Sequence, residues 1–122
     1  VPRNRIPDFV RTVQAVSADV GIQIGLAGHA GDGNMHPTIL QGEINNEINL
    51  KAKQAIDRMI RAGLDLGGTI SGEHGIGIHK QEYLEWEFGP TQIDLMRRIK
   101  QAFDPKGLLN PGKLWLEGGE SI

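Results

Sequence analysis

Apolar and polar positions recur along this chain with two different periods, and each period predicts a kind of element. Val10, Val13 and Val16 return every three residues behind Pro7, the spacing of one helix face, and predict a helix from Pro7 to Asp19 closed by Gly21. From Ile22 to His29 the period drops to two: Ile22, Ile24 and Leu26 alternate with Gln23, Gly25, Ala27 and His29, as in a half-buried strand. A second short strand, Met35 to Leu40, places His36, Thr38 and Leu40 on one face, and the intervening Gly31-Asp32-Gly33-Asn34 holds an Asp-Gly pair that favours a tight hairpin turn. Helical spacing then returns with Ile48, Ala52, Ala55, Ile56, Met59 and Ile60, separated by Lys51, Lys53, Asp57 and Arg58 and ended by Gly67-Gly68.

A glycine-rich stretch from Gly68 to Gly77 leads into a polar helical segment around Lys80 to Glu87. Gly89-Pro90 opens a further helix carrying Ile93, Met96, Ile99 and Phe103, and Asp104-Pro105-Lys106-Gly107 has the residues of a type I turn. No internal repeat and no linker interrupts this order. It predicts an α+β fold: a small, largely antiparallel sheet with helices packed on one face.

Composition narrows what such a fold can do. The 122 residues fall within the length of one domain, and 13 Lys+Arg against 15 Asp+Glu leave a formal charge of −2, without the basic excess that nucleic acid or an anionic membrane surface demands. With no cysteine there is no disulfide, thiolate metal site or Cys nucleophile, and no apolar run approaches the roughly 18 residues of a membrane helix. A soluble, cytoplasmic protein is expected, with any membrane association peripheral and made through partners. The 17 glycines, about twice the average share, point to turns or to close approaches of backbone and ligand. A chain beginning at Val1 rather than Met is expected to be a processed piece or fragment of something longer.

All four histidines, His29, His36, His74 and His79, lie in or beside the glycine-rich stretches. If Asp32-Gly33 is a two-residue loop, His29 faces His36 across the ladder with Cβ atoms about 4.5–5.5 Å apart, and the pair can chelate one ion. A divalent ion so held wants a carboxylate too, and Glu73 in Ser71-Gly72-Glu73-His74-Gly75 is the best candidate, its neighbours being too small to compete for space. His74 then points elsewhere and can act as a base beside the metal. His79, next to Lys80-Gln81-Glu82, reads as an ordinary surface residue, Asp32 as turn chemistry, and Trp86, Phe88 and Trp115 as packing residues. Gly25, Gly28 and Gly31 imitate a nucleotide-binding fingerprint but lead into a strand, not a helix N-terminus, and that reading is rejected.

Three strings, Gly28-His29-Ala30-Gly31-Asp32-Gly33-Asn34-Met35-His36-Pro37, Ser71-Gly72-Glu73-His74-Gly75-Ile76-Gly77 and Phe103-Asp104-Pro105-Lys106-Gly107-Leu108-Leu109-Asn110-Pro111-Gly112-Lys113, resemble in order and spacing the C-terminal domain of FAD-linked 2-hydroxy-acid oxidases and dehydrogenases. That group includes D-lactate dehydrogenase, the glycolate oxidase FAD-binding subunit and D-2-hydroxyglutarate dehydrogenase, and the resemblance covers nearly the whole chain. It implies that residues 1–122 are a ferredoxin-like substrate/cap domain fragment, that FAD is bound mainly by an N-terminal domain absent from this sequence, and that this segment alone is inactive. The resemblance also implies a divalent ion, Zn2+, on His29, His36 and Glu73, a base at His74, and a flavin-side position for Asn110. The 2-hydroxyglutarate branch carries a substrate-contacting Asn two places after the second histidine; here that place is Thr38, closer to the glycolate and lactate branch.

The implied partners are a small 2-hydroxy acid, an FAD-binding domain in cis and an electron acceptor that the sequence does not name. A 2-hydroxy acid would chelate the ion through carboxylate and hydroxyl oxygens, His74 would take the hydroxyl proton, and hydride would pass from C2 to FAD. Other classes compete. A free-standing two-His, one-Glu metal hydrolase would need no flavin, non-haem iron would show oxygen-dependent turnover, and a non-catalytic small-ligand-binding module would not need the histidines.

Overall fold

Pro7 supplies a helix-ready φ and Gly21 a left-handed stop at φ 67°, so α1 runs Ile6–Val20 behind a short 3-10 turn, Arg3–Arg5. The structure is a computed structural model and describes residues 1–40 and 45–115. Next come β1 (Ile24–His29), β2 (Asn34–Ile39), α2 (Asn46–Asp65), a 3-10 turn (Gln81–Tyr83), α3 (Leu84–Glu87) and α4 (Pro90–Phe103). The mixed α+β composition expected from the periodicity is present, with β1 and β2 paired as an antiparallel sheet. Among the described residues, no helix is long and apolar enough to cross a membrane.

The chain forms two compact units, Val1–Glu73 and a second beginning at His74. In the first, Phe9, Val13, Val16 and Val20 on α1 meet Ala55 and Met59 on α2, with Ile22 completing a buried cluster. Ile24, Leu26, Met35 and Ile39 add one face of the hairpin to that cluster, so both helices cover the same side of the strands. The Asn45 side chain caps α2 by accepting the Ile48 N–H at 2.9 Å, and Lys51 pairs with Glu47 one turn on, which holds the Glu47 carboxyl below its ordinary pKa.

The hairpin register corrects the sequence expectation. His29 stands opposite Asn34, and His36 opposite Ala27, instead of the two histidines facing each other. The reason lies in the turn. Ala30-Gly31-Asp32-Gly33 forms a four-residue loop in which the His29 carbonyl accepts from both Asp32 N and Gly33 N, at 3.2 and 3.1 Å, while the Asp32 carboxylate accepts the Asn34 N–H. Gly33 closes this loop at φ +81°, and a Cβ there would lie 2.0 Å from the Val1 carbonyl oxygen, so glycine is required twice over. The pairing moves by two residues from the two-residue-loop register. Side-chain direction has period two, so the histidines still share a face.

In the second unit Tyr83, Leu84 and Ile93 are buried, and the Tyr83 and Trp86 rings meet edge-on at 4.9 Å. The Gln81 side chain donates to the carbonyls of Gly112 and Trp115, and Leu114 N donates to Gly77 O, tying residues 112–115 to residues 77–81. The expected helix carrying Ile93, Met96, Ile99 and Phe103 divides them between two environments: Ile93 is buried and Met96 half-buried, but Ile99 and Phe103 are exposed. After α4, the expected turn forms with a 3.0 Å bond from Gly107 N to Asp104 O. The Asp104 carboxylate, 6% exposed, accepts from Lys100 and from the backbone N–H groups of Leu108 and Leu109.

Two tests follow from the packing. Met59→Ala, at a site 4% exposed in the α1–α2 cluster, should lower stability by about 2–5 kcal/mol in urea unfolding. The Lys100 hydrogen bond first, and then the Leu109 and Leu108 amides, hold Asp104 below its ordinary pKa of 3.8. A depressed folded pKa means stability that is fully present above pH 3.8 and lost as pH falls through the lower folded value. Acid titration should therefore show Asp104→Asn less stable than the natural chain at neutral pH, with the difference shrinking below pH 3.8.

Candidate metal centre

The hairpin face turned away from the helical core carries Gly25, Ala27 and His29 from β1 and Asn34, His36 and Thr38 from β2. His29 and His36 are diagonal neighbours on it, a separation that rings of this length span. Their centroids lie 5.3 Å apart with planes at 90°, so each ring presents a nitrogen toward a common point.

A third ligand arrives from the segment after α2. Leu66 N and Gly68 N bond back to Ala62 O and Gly63 O, which turns the chain, and Ile70, 7% exposed, anchors it. Gly72 then passes against the Asn34 side chain so closely that a Cβ would stand 2.2 Å from Asn34 Oδ1. Any larger residue there would have to displace the Asn34 carboxamide, and this close approach brings Glu73 to the histidine face. Glu73 Oε1 lies 3.2 Å from His36 Nε2 and 3.7 Å from His29 Nε2, and one ligand atom from each residue falls within 4.8 Å of the others.

These separations fit a small divalent ion. Two ligands about 2.1 Å from one ion at the tetrahedral angle stand roughly 3.4 Å apart. Two imidazoles and one carboxylate also match the donor set of catalytic zinc sites, in which the fourth position stays open for water or substrate. The Glu73 and His29 side chains are about half exposed, at 47% and 60%, so such a position is reachable from solvent. Ala27, opposite His36, is small and exposed, whereas the Leu40 side chain lies over Gly25.

The other candidates are placed as follows. His74 is exposed, directly follows Glu73 and opens the second unit; His79 is exposed as well. Asp32 serves the turn. Asn110 is exposed in the second unit with φ 48°, a left-handed conformation that Asn tolerates better than most residues. Sequence reasoning passed over Asn34, which stands opposite His29 and supports Gly72. Its parity with His36 is the available signal, but the sequence reading places Asn34 in the turn rather than in the strand.

Comparison with known proteins bears on the whole of this arrangement. Residues 1–114 match the family described as FAD linked oxidases, C-terminal domain. The chain is 42% identical over 115 residues to the glycolate oxidase subunit GlcD of Bacillus subtilis, a match covering 94% of this chain and 24% of that protein. It is 36% identical to a D-lactate dehydrogenase of Anaerostipes hadrus over 93% of this chain and 24% of that protein, and 40% identical to a D-lactate dehydrogenase of Archaeoglobus fulgidus over 93% and 25%. The chain thus spans about a quarter of the length of these relatives. The hairpin with His29 and His36, Glu73 beside it and the Asp104 turn all fall within the matched residues, and the chain belongs to the C-terminal domain family of the FAD linked oxidases.

Proposed function

We propose that this chain is the substrate-side, C-terminal portion of a flavin-dependent 2-hydroxy-acid dehydrogenase or oxidase of the glycolate or D-lactate type. The observation that carries the reading is the convergence of His29, His36 and Glu73 to within 4.8 Å on one face of the hairpin. Glycolate oxidase and D-lactate dehydrogenase among its relatives support the substrate class, since both names denote oxidation of a small 2-hydroxy acid.

In this reading the three side chains hold a divalent ion, Zn2+ by donor type. Bound ion would supply positive charge that lowers the pKa of a substrate hydroxyl, and bound FAD would supply the hydride acceptor. The protein's own part is positioning and proton transfer. His29 and His36 must each offer a neutral Nε2, which their strand positions aim toward Glu73. The exposed strand position at Ala27, directly opposite His36, leaves room beside the ligands for a short substrate. His74 accepts the hydroxyl proton as general base, and Asn110 belongs to the flavin-facing side of the second unit.

Titration calorimetry of the metal-stripped chain with zinc should give one-to-one binding that weakens as pH falls, because protons compete for both imidazoles. His36→Ala should weaken it about 100-fold or more, beyond the loss seen when only an outer partner of a ligand is removed. Unchanged affinity in His36→Ala would refute the ligand assignment. His74→Asn should leave zinc affinity intact and, with the flavin-binding portion joined, reduce turnover of glycolate or D-lactate about 10²–10⁴-fold, the usual contribution of a general base. Normal turnover in that variant would remove His74 from the role.

A further inference from the structure

α4 is amphipathic in an unusual sense: both of its faces are apolar. One face carries buried Ile93 with half-buried Met96, Arg97 and Lys100. Nearly opposite, Leu95, Ile99 and Phe103 follow at four-residue steps, which stacks them along one side of the helix. They are 58, 52 and 84% exposed. Past the helix end Leu108 and Leu109 are also exposed, at 72 and 59%.

This exposure is held in place. Asp104 buries its carboxylate to accept the N–H groups of Leu108 and Leu109, and Lys100 both bonds that carboxylate and donates to Leu109 O. Those bonds fix the backbone at Leu108 and Leu109, whose side chains stand exposed. Of the eight large apolar side chains exposed among the described residues, five therefore lie between Leu95 and Leu109. A row of exposed apolar side chains stacked along one helix face, as Leu95, Ile99 and Phe103 are, marks a docking site more often than singly scattered exposure does.

The relatives supply the occupant. They run about four times the length of this chain, and the family is by its description the C-terminal domain of enzymes linked to FAD. We propose that the Leu95–Ile99–Phe103 face, together with Leu108 and Leu109, is the surface on which the flavin-binding portion of the enzyme docks. The proposal rests on family membership alone. It stands or falls separately from the metal site and the His74 base.

Hydrogen exchange tests it, comparing the 122-residue chain with a fusion in which the chain replaces the matched C-terminal quarter of the Bacillus subtilis glycolate oxidase subunit. Backbone amides of residues 95–109 should exchange about tenfold more slowly in the fusion, while the helix around exposed Leu50 in α2 stays unchanged. Unchanged exchange at 95–109 would overturn the assignment. The double variant Leu95→Ser/Phe103→Ser supplies a second arm on the chain alone. It should keep the melting temperature and zinc affinity of the natural chain, because both side chains are more than half exposed, yet abolish the slowing in the fusion. A large fall in its melting temperature would mean that the chain covers this face itself. Concentration-dependent sedimentation of the natural chain, lost in the double variant, would assign the face to a second copy; either result contradicts docking of the flavin-binding portion.

Discussion

The pleat of the β1–β2 hairpin is the constraint on which the candidate site depends. Successive side chains on a strand point to opposite faces, so Ile24 and Leu26, with Met35 and Ile39, can enter the α1–α2 core only if His29 and His36 are turned away from it. Burial of the apolar face thereby selects the register parity, and that parity places both imidazoles on one accessible surface. A slip of one residue would put histidines into the core and expose the isoleucines, an outcome opposed by the whole cluster around Val16 and Met59. His29 and His36 are consequently held by the same packing that stabilises the first unit.

Glu73 reaches that surface through a different device. Once α2 has ended, the chain must reverse and run across the hairpin at backbone distance, and Gly72 against Asn34 is the point of closest passage. Two ligands thus come from adjacent strands and one from a loop anchored by Ile70, a division that leaves the site rigid on one side and open on the other. The second unit uses buried hydrogen bonding for a comparable purpose. Asp104 bonds the backbone of Leu108 and Leu109 and Gln81 that of Gly112 and Trp115, on either side of the left-handed Asn110.

Much of this was legible in the sequence, and the rest was hidden for identifiable reasons. The three-residue stripe behind Pro7, the run from Ile48 to Ile60 and the alternation around Ile24 each carry enough residues for their period to declare the element. Loop length is a weaker signal. Asp32-Gly33 suits a two-residue turn, but the Asp32 side chain capping Asn34 N and the double acceptance at His29 O stabilise a four-residue loop that composition alone does not distinguish. The ligand trio survived that error because a two-residue shift preserves the face. In α4 the apolar residues occupy two faces at once, so periodicity could not say which of Ile93 and Phe103 would be buried. Nor does the sequence disclose that Asp104, expected only as a turn residue, accepts three hydrogen bonds from buried position.

Anomalous diffraction at the zinc edge from crystals of the zinc-loaded chain tests the central claim most directly. The account predicts one ion bound by His29 Nε2, His36 Nε2 and a Glu73 carboxylate oxygen at about 2.0–2.2 Å, with the remaining position open to solvent. An ion held by other residues, or a hairpin face that stays empty at saturating zinc, would contradict it.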